Sequence, residues 1–306
     1  MRRATRALCI GIGGGGDVVG ALALAEYARA TGGPPVIVGG LTWERRPVDP
    51  LPGPRTLAQL SGARPLNDAV ALAGPHTTGP GGFPFAEARM AAFLGHDTVL
   101  VDPNPGPAAV GRALADAAGR LDADLVILLD VGGDVLAHGD EASLASPLAD
   151  AVLLAAGPHV AAAGVPVLGA LFGAGCDGEL LPEEVAARLE ELRAAGSVVS
   201  ELTLPAAALP RLREAAVAVT TEASAMAIRC AGGDRGPTTI RDGRRSVQLT
   251  ELGGRLCLFD VDAALAGPAR LAAALDDAGT LEDGETMLAA CGIRSELAYE
   301  RDLAAR

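Results

Sequence analysis

Acidic and amide side chains follow four predicted strands of this sequence, each where an apolar run ends. In a parallel sheet the carboxyl ends of the strands meet at one edge, where α/β proteins bind their ligands. Carboxylates gathered there repel one another unless a cation, a proton or a polyhydroxyl ligand compensates. The alternative for each residue alone is a helix cap or a turn. As a set they predict one acidic crevice for Mg²⁺ and a phosphorylated substrate, or for ribose hydroxyls. The residues are Asp17; Asp102 and Asn104; Asp130 and Asp134; and Asp177 and Glu179.

The densest of these stretches is "DVGGDVLAHGDEASLASPLAD", residues 130–150. Asp130 closes an apolar strand, and two glycines then allow the backbone to approach a ligand. We predict that Asp130 and Asp134 are catalytic residues and metal ligands. His138 is the histidine best placed for acid–base catalysis, because its acidic neighbours are expected to raise its pKa toward neutrality. The alternative is a solvated loop histidine.

A glycine-rich turn, "CIGIGGGGDVVGALALA" at residues 9–25, joins the first predicted strand to the first helix. One interpretation is a tight turn. A second is a cradle in which backbone N–H groups hold a phosphate, a carboxylate or a sugar. A third is an NAD site, since Gly11-x-Gly13-x-x-Gly16 matches the dinucleotide fingerprint. The second strand ends "VIVGG" without an acid, and Glu44 comes only later, so the ribose anchor is missing. The predicted ligand-binding residues here are Gly13, Gly14, Gly15, Gly16 and Asp17.

The composition excludes several kinds of chemistry. The chain has no lysine, which excludes a Walker-type phosphate loop and a pyridoxal phosphate Schiff base. A net charge of −13 argues against nucleic acid as a partner. No apolar run is long enough for a membrane helix, and no membrane partner is expected.

The five cysteines are scattered and form no C-x-x-C pair, so neither a disulfide framework nor a structural zinc site is indicated. We expect a cytoplasmic protein. Cys176 lies just before a predicted helix, where a thiolate nucleophile is favoured, although the following Asp177 opposes one. The alternative for Cys176 is a buried thiol without a chemical role.

Short apolar runs alternate with Ala-rich helical segments, which predicts a doubly wound, mostly parallel, Rossmann-like α/β sheet. We expect a single elaborated domain over residues 1–306. Residues 41–97 form a long insertion or lid, and its arginines are candidate phosphate partners. Residues 238–261 are predicted to form a hairpin and edge strands, because "IRDGRR" contains a typical Asp-Gly turn. Two helices follow. The candidates among the insertion arginines are Arg45, Arg46, Arg55 and Arg89.

Five motifs together resemble an uncharacterised family of bacterial and archaeal proteins known only as a domain of unknown function. The resemblance covers nearly the whole chain and implies no activity, so no residue acquires a role from it. The motifs are "IGIGGGGDVVGALALA", "VDPNPGP", "DVGGDVLAHGDEASLASPLAD", "GAGCDGEL" and "TTEASAMA".

These features favour an enzyme acting on a nucleotide, nucleoside or sugar phosphate by group transfer or hydrolysis. The glycine-rich turn would hold the phosphate or sugar, and the acidic crevice would position hydroxyls or Mg²⁺. Two alternatives stay open: an NAD(P)-dependent oxidoreductase, and a non-catalytic small-molecule-binding protein. The sequence also leaves a homo-oligomer open.

Overall fold

A computed structural model describes residues 4–305, which form a large central sheet with helices on both faces and a separate hairpin. The strands are β1 (Ala7–Gly11), β2 (Val36–Leu41), β3 (Ser61–Pro65), β4 (Val70–Thr78), β5 (Thr98–Val101), β6 (Leu125–Val131), β7 (Val167–Phe172), β8 (Val198–Thr203), β9 (Gly236–Ile240), β10 (Arg245–Leu249) and β11 (Arg255–Phe259). The helices are α1 (Val18–Thr31), α2 (Ala86–Leu94), α3 (Gly106–Arg120), α4 (Pro147–Ala155), α5 (Gly157–Ala162), α6 (Pro182–Ala194), α7 (Leu209–Val219), α8 (Ala223–Ala231), α9 (Val261–Ala266), α10 (Arg270–Ala273), α11 (Leu281–Ala290) and α12 (Glu296–Ala304).

The central sheet has nine strands in the order β3-β4-β5-β2-β1-β6-β7-β11-β8. Its middle, from β5 to β7, is parallel throughout. Two further strands pair antiparallel at each end of this parallel part. The prediction of a mixed α/β fold with a large, mostly parallel sheet is therefore confirmed.

The parallel strands are mostly apolar because both sheet faces are covered. Successive side chains point to opposite faces, so Leu8 and Ile10 pack in one core while Ala7 and Cys9 pack in the other. Helices α3, α4 and α5 contribute to the first core, and α1, α7 and α8 to the second. Together the two cores hold the strand ends, and hence the loops that follow them, in fixed positions.

The long segment 41–97 contributes two strands and a helix to the fold. It supplies β3 and β4 at one edge and α2 against the second core. Four of its five arginines have partners nearby: Arg55 pairs with Asp49, Arg64 with Asp97 and Arg89 with Glu44, and Arg46 donates to a backbone carbonyl. Arg45 is the one that reaches the predicted crevice.

The predicted hairpin at the Asp-Gly turn is confirmed as the antiparallel pair β9–β10. Of the strands in 238–261, β11 lies inside the central sheet, between β7 and β8, and β8 forms that edge. Only Leu202 of β8 is buried, which suits an edge and not an interior position. Within residues 4–305, no helix has the length and apolarity required to cross a bilayer.

Candidate functional site

Six buried carboxyl groups lie together at the carboxyl ends of β1, β6 and β7; we call them the acidic cluster. They come from the loops after these strands, from β6 itself and from the first turn of α4. They form two trios, and within each trio one oxygen of every residue lies within 4.8 Å of the others. The first trio is Asp17, Asp130 and Asp150, and the second is Asp134, Asp177 and Glu179.

The first trio lies where the loop after β1 meets the end of β6. Asp17 precedes α1 but does not cap it; its Oδ2 accepts from Gly13 N at 3.0 Å and Val131 N at 3.4 Å. Asp130 Oδ2 accepts from Gly133 N at 2.8 Å. These backbone donors hold both side chains in the crevice.

Asp150 differs from its neighbours in the first trio. Its side chain is buried, with the residue 2% exposed, yet Oδ1 has no hydrogen-bond partner in the part of the chain described. A buried oxygen without a donor is costly unless a ligand compensates for it. Sequence reasoning missed this residue, because an acid in the first turn of a helix is ordinary for stabilising the helix dipole.

The second trio is better supplied with hydrogen-bond donors. Glu179 accepts from the backbone N–H groups of Ala145 and Ser146, both at 2.8 Å, and from the Ser146 hydroxyl. Two guanidinium groups of the hairpin, from Arg241 and Arg245, lie 3.8 and 3.7 Å from Glu179 Oε1. The hairpin therefore brings positive charge to this side of the cluster.

Burial and mutual repulsion raise the pKa values in the acidic cluster. Burial is the main cause for Asp17, whose pKa rises to about 7. The pKa of Asp177 also rises to about 7, through burial and then the charge of Glu179. The pKa values of Asp130, Asp134 and Asp150 lie well above the ordinary range, through burial first and neighbouring carboxylates second. Without a ligand, the cluster therefore favours bound protons near neutral pH.

Arg45 is the cation on the first-trio side. Its Nη2 donates to the Gly13 carbonyl at 2.8 Å, and its guanidinium lies 4.5 Å from the centre of the Trp43 ring. Glu296 and Glu300 of α12 lie 3.4 and 3.5 Å from the guanidinium. Because these interactions fix it beside the glycine-rich turn, Arg45 lowers the pKa of Asp17 and Asp150 against the effect of burial.

Glu296 also connects α12 to α4. Its carboxylate accepts from the backbone N–H groups of Leu148 and Ala149, at 3.0 and 2.9 Å, and so caps the helix that carries Asp150. Sequence reasoning missed Glu296, which lies far along the chain from the residues it serves. It is a positioning residue for Asp150.

The glycine-rich turn runs along the acidic cluster, and most of its N–H groups already have acceptors. Gly14 and Gly15 adopt φ values of 79° and 65°, which favour glycine. Gly13 N donates to Asp17, Gly15 N to Trp43 O, and Gly16 N to Gly14 O. Among residues 4–305, the Gly14 N–H has no protein acceptor. The phosphate cradle stays a prediction, and Gly14 is the donor on which it depends most.

Asp102 and Asn104 lie apart from the acidic cluster. Strand β2 separates β5, which precedes them, from β1. The Asp102 carboxylate accepts from Asn104 N, Asn104 Nδ2 and Leu57 N, at 2.9, 2.7 and 3.2 Å. This pattern is typical of a turn residue, so the structure does not bring this predicted pair to the other acids.

His138 lies outside both trios, and the expected direction of its pKa shift is wrong. Its pKa is lowered, first by burial and then by the charges of Arg188 and Arg270. The imidazole therefore stays neutral at pH 7. Its Nε2 is buried, 3.5 Å from Glu191, and the residue follows the short turn that carries Asp134.

Cys176 is buried, and its hydrogen bond with the neighbouring Cys230 thiol, followed by burial, raises its pKa above the usual range. The two sulfur atoms are 3.8 Å apart. This supports the interpretation as a thiol without a nucleophilic role.

Glu44, the nearest acid after the second strand, accepts hydrogen bonds from Ala86 N and Arg89 at the start of α2, so its carboxylate already has partners within the protein.

The fold and site together define a mixed α/β protein with a buried acidic cluster at the carboxyl ends of the central parallel strands. The chain belongs to the family described as "Protein of unknown function (DUF1152)", whose model matches residues 8–304. The predicted membership of an uncharacterised family is thus confirmed over nearly the whole chain. No curated protein and no solved structure matches it.

Proposed function

We propose that the protein is a divalent-cation-dependent enzyme acting on a nucleotide, nucleoside or sugar-phosphate substrate by group transfer or hydrolysis. The acidic cluster would hold the cation, and the glycine-rich turn would lie along the substrate. Mg²⁺ is the expected ion, because hard cations prefer carboxylate oxygens. When bound, it would stabilise negative charge developing on a phosphoryl oxygen.

The strand order supports the location of this site. We interpret the parallel order β5-β2-β1-β6-β7 as that of a doubly wound, Rossmann-like sheet, in which connections reverse direction between β1 and β6. Ligands of such folds bind outside the carboxyl ends of the strands at this reversal. Asp17 follows β1 and Asp130 is the penultimate residue of β6, so the first trio supports a ligand site there.

The observation that carries the proposal is the Asp150 carboxylate. Its Oδ1 is buried, has no hydrogen-bond partner among residues 4–305, and lies in one trio with Asp17 and Asp130. A cation would supply the missing interaction and would relieve the repulsion that raises the three pKa values. An NAD(P) oxidoreductase has less support, because Glu44 is occupied at the start of α2 and Gly13, Gly15 and Gly16 have already donated their N–H groups.

The experiment that tests this function has two stages. Calorimetric titration of the EDTA-treated protein with Mg²⁺ measures cation binding directly. A thermal-shift panel of nucleotides, nucleosides, sugar phosphates and dinucleotides, with and without Mg²⁺, then identifies ligands, since ligands of the native state raise Tm. Stabilisation by NAD alone, independent of Mg²⁺, would favour the oxidoreductase instead. Absence of any Mg²⁺ binding would reject the proposed cation site.

Asp134→Asn is expected to abolish turnover of any panel compound that the wild type converts. Asp134 is buried, not exposed as a cleft residue would be, and carboxylates of both trios raise its pKa. A neutral amide of the same shape removes that repulsion, so the free energy of unfolding should stay unchanged or rise. Urea denaturation measures this. A loss of several kcal/mol would identify Asp134 as a structural partner.

Gly13→Ala is expected to weaken Mg²⁺ binding about tenfold or more, or roughly 1.4 kcal/mol. A Cβ at Gly13 would lie 2.7 Å from Asp17 Oδ2 and 3.1 Å from Asp150 Oδ2, between two residues of the first trio. The matched control is Gly119→Ala on α3, whose Cβ would meet nothing within 4 Å. Calorimetry compares the two. Equal Mg²⁺ affinities in both variants would contradict a cation bound between Asp17 and Asp150.

A further inference from the structure

A cavity of about 420 Å³ lies against the second trio, between the β9–β10 hairpin and the loop that leads into α6. Gly178 and Leu180, the neighbours of Glu179, form part of one wall. The hairpin forms the opposite wall with polar side chains that can donate hydrogen bonds. These are Arg244, Arg245, Ser246 and Gln248.

Arg245 connects the cavity to the acidic cluster. Its side chain is 19% exposed, its Nη1 donates to Gly178 O at 2.9 Å, and the same atom lies 3.7 Å from Glu179 Oε1. A guanidinium has five N–H donors in a planar fork, so donors remain for a ligand in the cavity. Arg244, 76% exposed, adds a second guanidinium at the cavity.

The charge at this cavity contrasts with the rest of the molecule. In a chain of net charge −13 without lysine, two adjacent arginines line one cavity beside a cluster of acids. Arginine suits phosphate because its fork matches two phosphate oxygens at once. Guanidinium groups on one side and a carboxylate-bound cation on the other are the arrangement that phosphoryl chemistry uses to neutralise charge.

We infer that this cavity binds a phosphate group of the substrate through Arg244 and Arg245. The inference rests on the proposed function and narrows it: the substrate is a phosphate ester of a nucleoside or sugar, and a free nucleoside lacks the group that the cavity recognises. Ser246 and Gln248 supply further donors to the phosphate oxygens.

Calorimetric titration with inorganic phosphate and with pyrophosphate tests the inference in the full-length protein. Arg245→Gln should weaken phosphate binding about tenfold, because charge-assisted hydrogen bonds are lost. Arg211→Gln is the matched control: Arg211 lies on α7, is 46% exposed and pairs with Glu26 away from the cavity. We expect wild-type phosphate affinity in this control.

Arg244→Gln is the second variant, because Arg245 also bonds the Gly178 carbonyl and its loss could disturb the loop. Arg244 is largely exposed, so its substitution should leave Tm unchanged and weaken phosphate binding severalfold. Phosphate affinity equal to wild type in both variants would overturn the inference.

Mg²⁺ titration of the same proteins separates this inference from the proposed function. Arg245→Gln should bind Mg²⁺ at least as tightly as wild type, because Glu179 loses a neighbouring positive charge. Arginine-dependent phosphate binding without any Mg²⁺ binding in wild type would support the anion site and reject the cation site. If the wild type binds Mg²⁺ but both arginine variants bind phosphate as tightly as the wild type, the cation site is supported and the anion site is rejected.

Discussion

In EDTA, raising the pH from about 5 to 8 is expected to lower the Tm of the protein on the order of 5 °C or more. Asp17 and Asp177 have folded-state pKa values of about 7, against about 3.9 in the unfolded chain. Between these values the folded state binds more protons than the unfolded state. Their stabilising contribution is therefore complete below about pH 4 and is lost as the pH rises through 7.

The size of the effect follows from the number of groups. For each carboxyl that stays protonated in the folded state but ionises in the unfolded chain, the free energy of unfolding falls by a little over 1 kcal/mol per pH unit. Asp130, Asp134 and Asp150 act in the same direction, since their pKa values are raised further. The lowered pKa of His138 makes stability rise with pH, but this is one group, whereas five aspartates of the acidic cluster make stability fall.

Saturating Mg²⁺ should remove most of this pH dependence. The cation binds the ionised carboxylates, so its binding releases protons and strengthens as the pH rises. The Mg²⁺-induced rise in Tm should therefore be larger at pH 8 than at pH 5. Scanning calorimetry at both pH values measures it. A Tm in EDTA that is constant or rises over this range would contradict the protonated, buried cluster.

Asp150→Asn is expected to have the largest effect of any single substitution on the cation site. Mg²⁺ affinity should fall at least about tenfold, or roughly 1.4 kcal/mol. The amide preserves the shape but removes a buried charge that repels Asp130 and Asp17. In EDTA at pH 8, the variant should consequently unfold at a higher temperature than wild type, and its Tm should fall less steeply with pH.

Asp68→Asn is the matched control for this prediction, because Asp68 is exposed and lies outside the acidic cluster. It should leave both Mg²⁺ affinity and the pH dependence of Tm unchanged. If Asp150→Asn binds Mg²⁺ with wild-type affinity, Asp150 is not a ligand of the cation. A lower Tm in EDTA at pH 8 would show that attraction to Arg45 outweighs repulsion from the two aspartates.

The local pattern of the sequence determined most of the parallel sheet. Strands buried on both faces must be apolar throughout, and the amphipathic segments between them must be helices, so β1, β2, β5, β6 and β7 were readable from short stretches. Strands β3 and β8 were not, since edge positions leave side chains partly exposed and weaken that signal. Strand β4 lies inside the sheet, but the second half of it is also partly exposed. The Asp-Gly turn identified the hairpin because its backbone requirement is local.

The same local patterns identified acids at strand ends but did not determine which of these acids lie close together in the fold. That depends on strand order, which arises from packing between distant segments. Strand β6 lies beside β1 and β7, which brings Asp17, Asp130, Asp134, Asp177 and Glu179 together, while β2 separates β1 from the strand before Asp102.

Tertiary structure alone decided the roles of Asp150, Glu296 and Arg245. Each occupies an unremarkable position in the sequence: a first helical turn, a terminal helix and a hairpin strand. Each comes close to the acidic cluster only where elements far apart in the chain converge. Burial at that convergence, which no local pattern encodes, raises the pKa values of the acids and leaves Asp150 Oδ1 without a hydrogen-bond partner among the described residues.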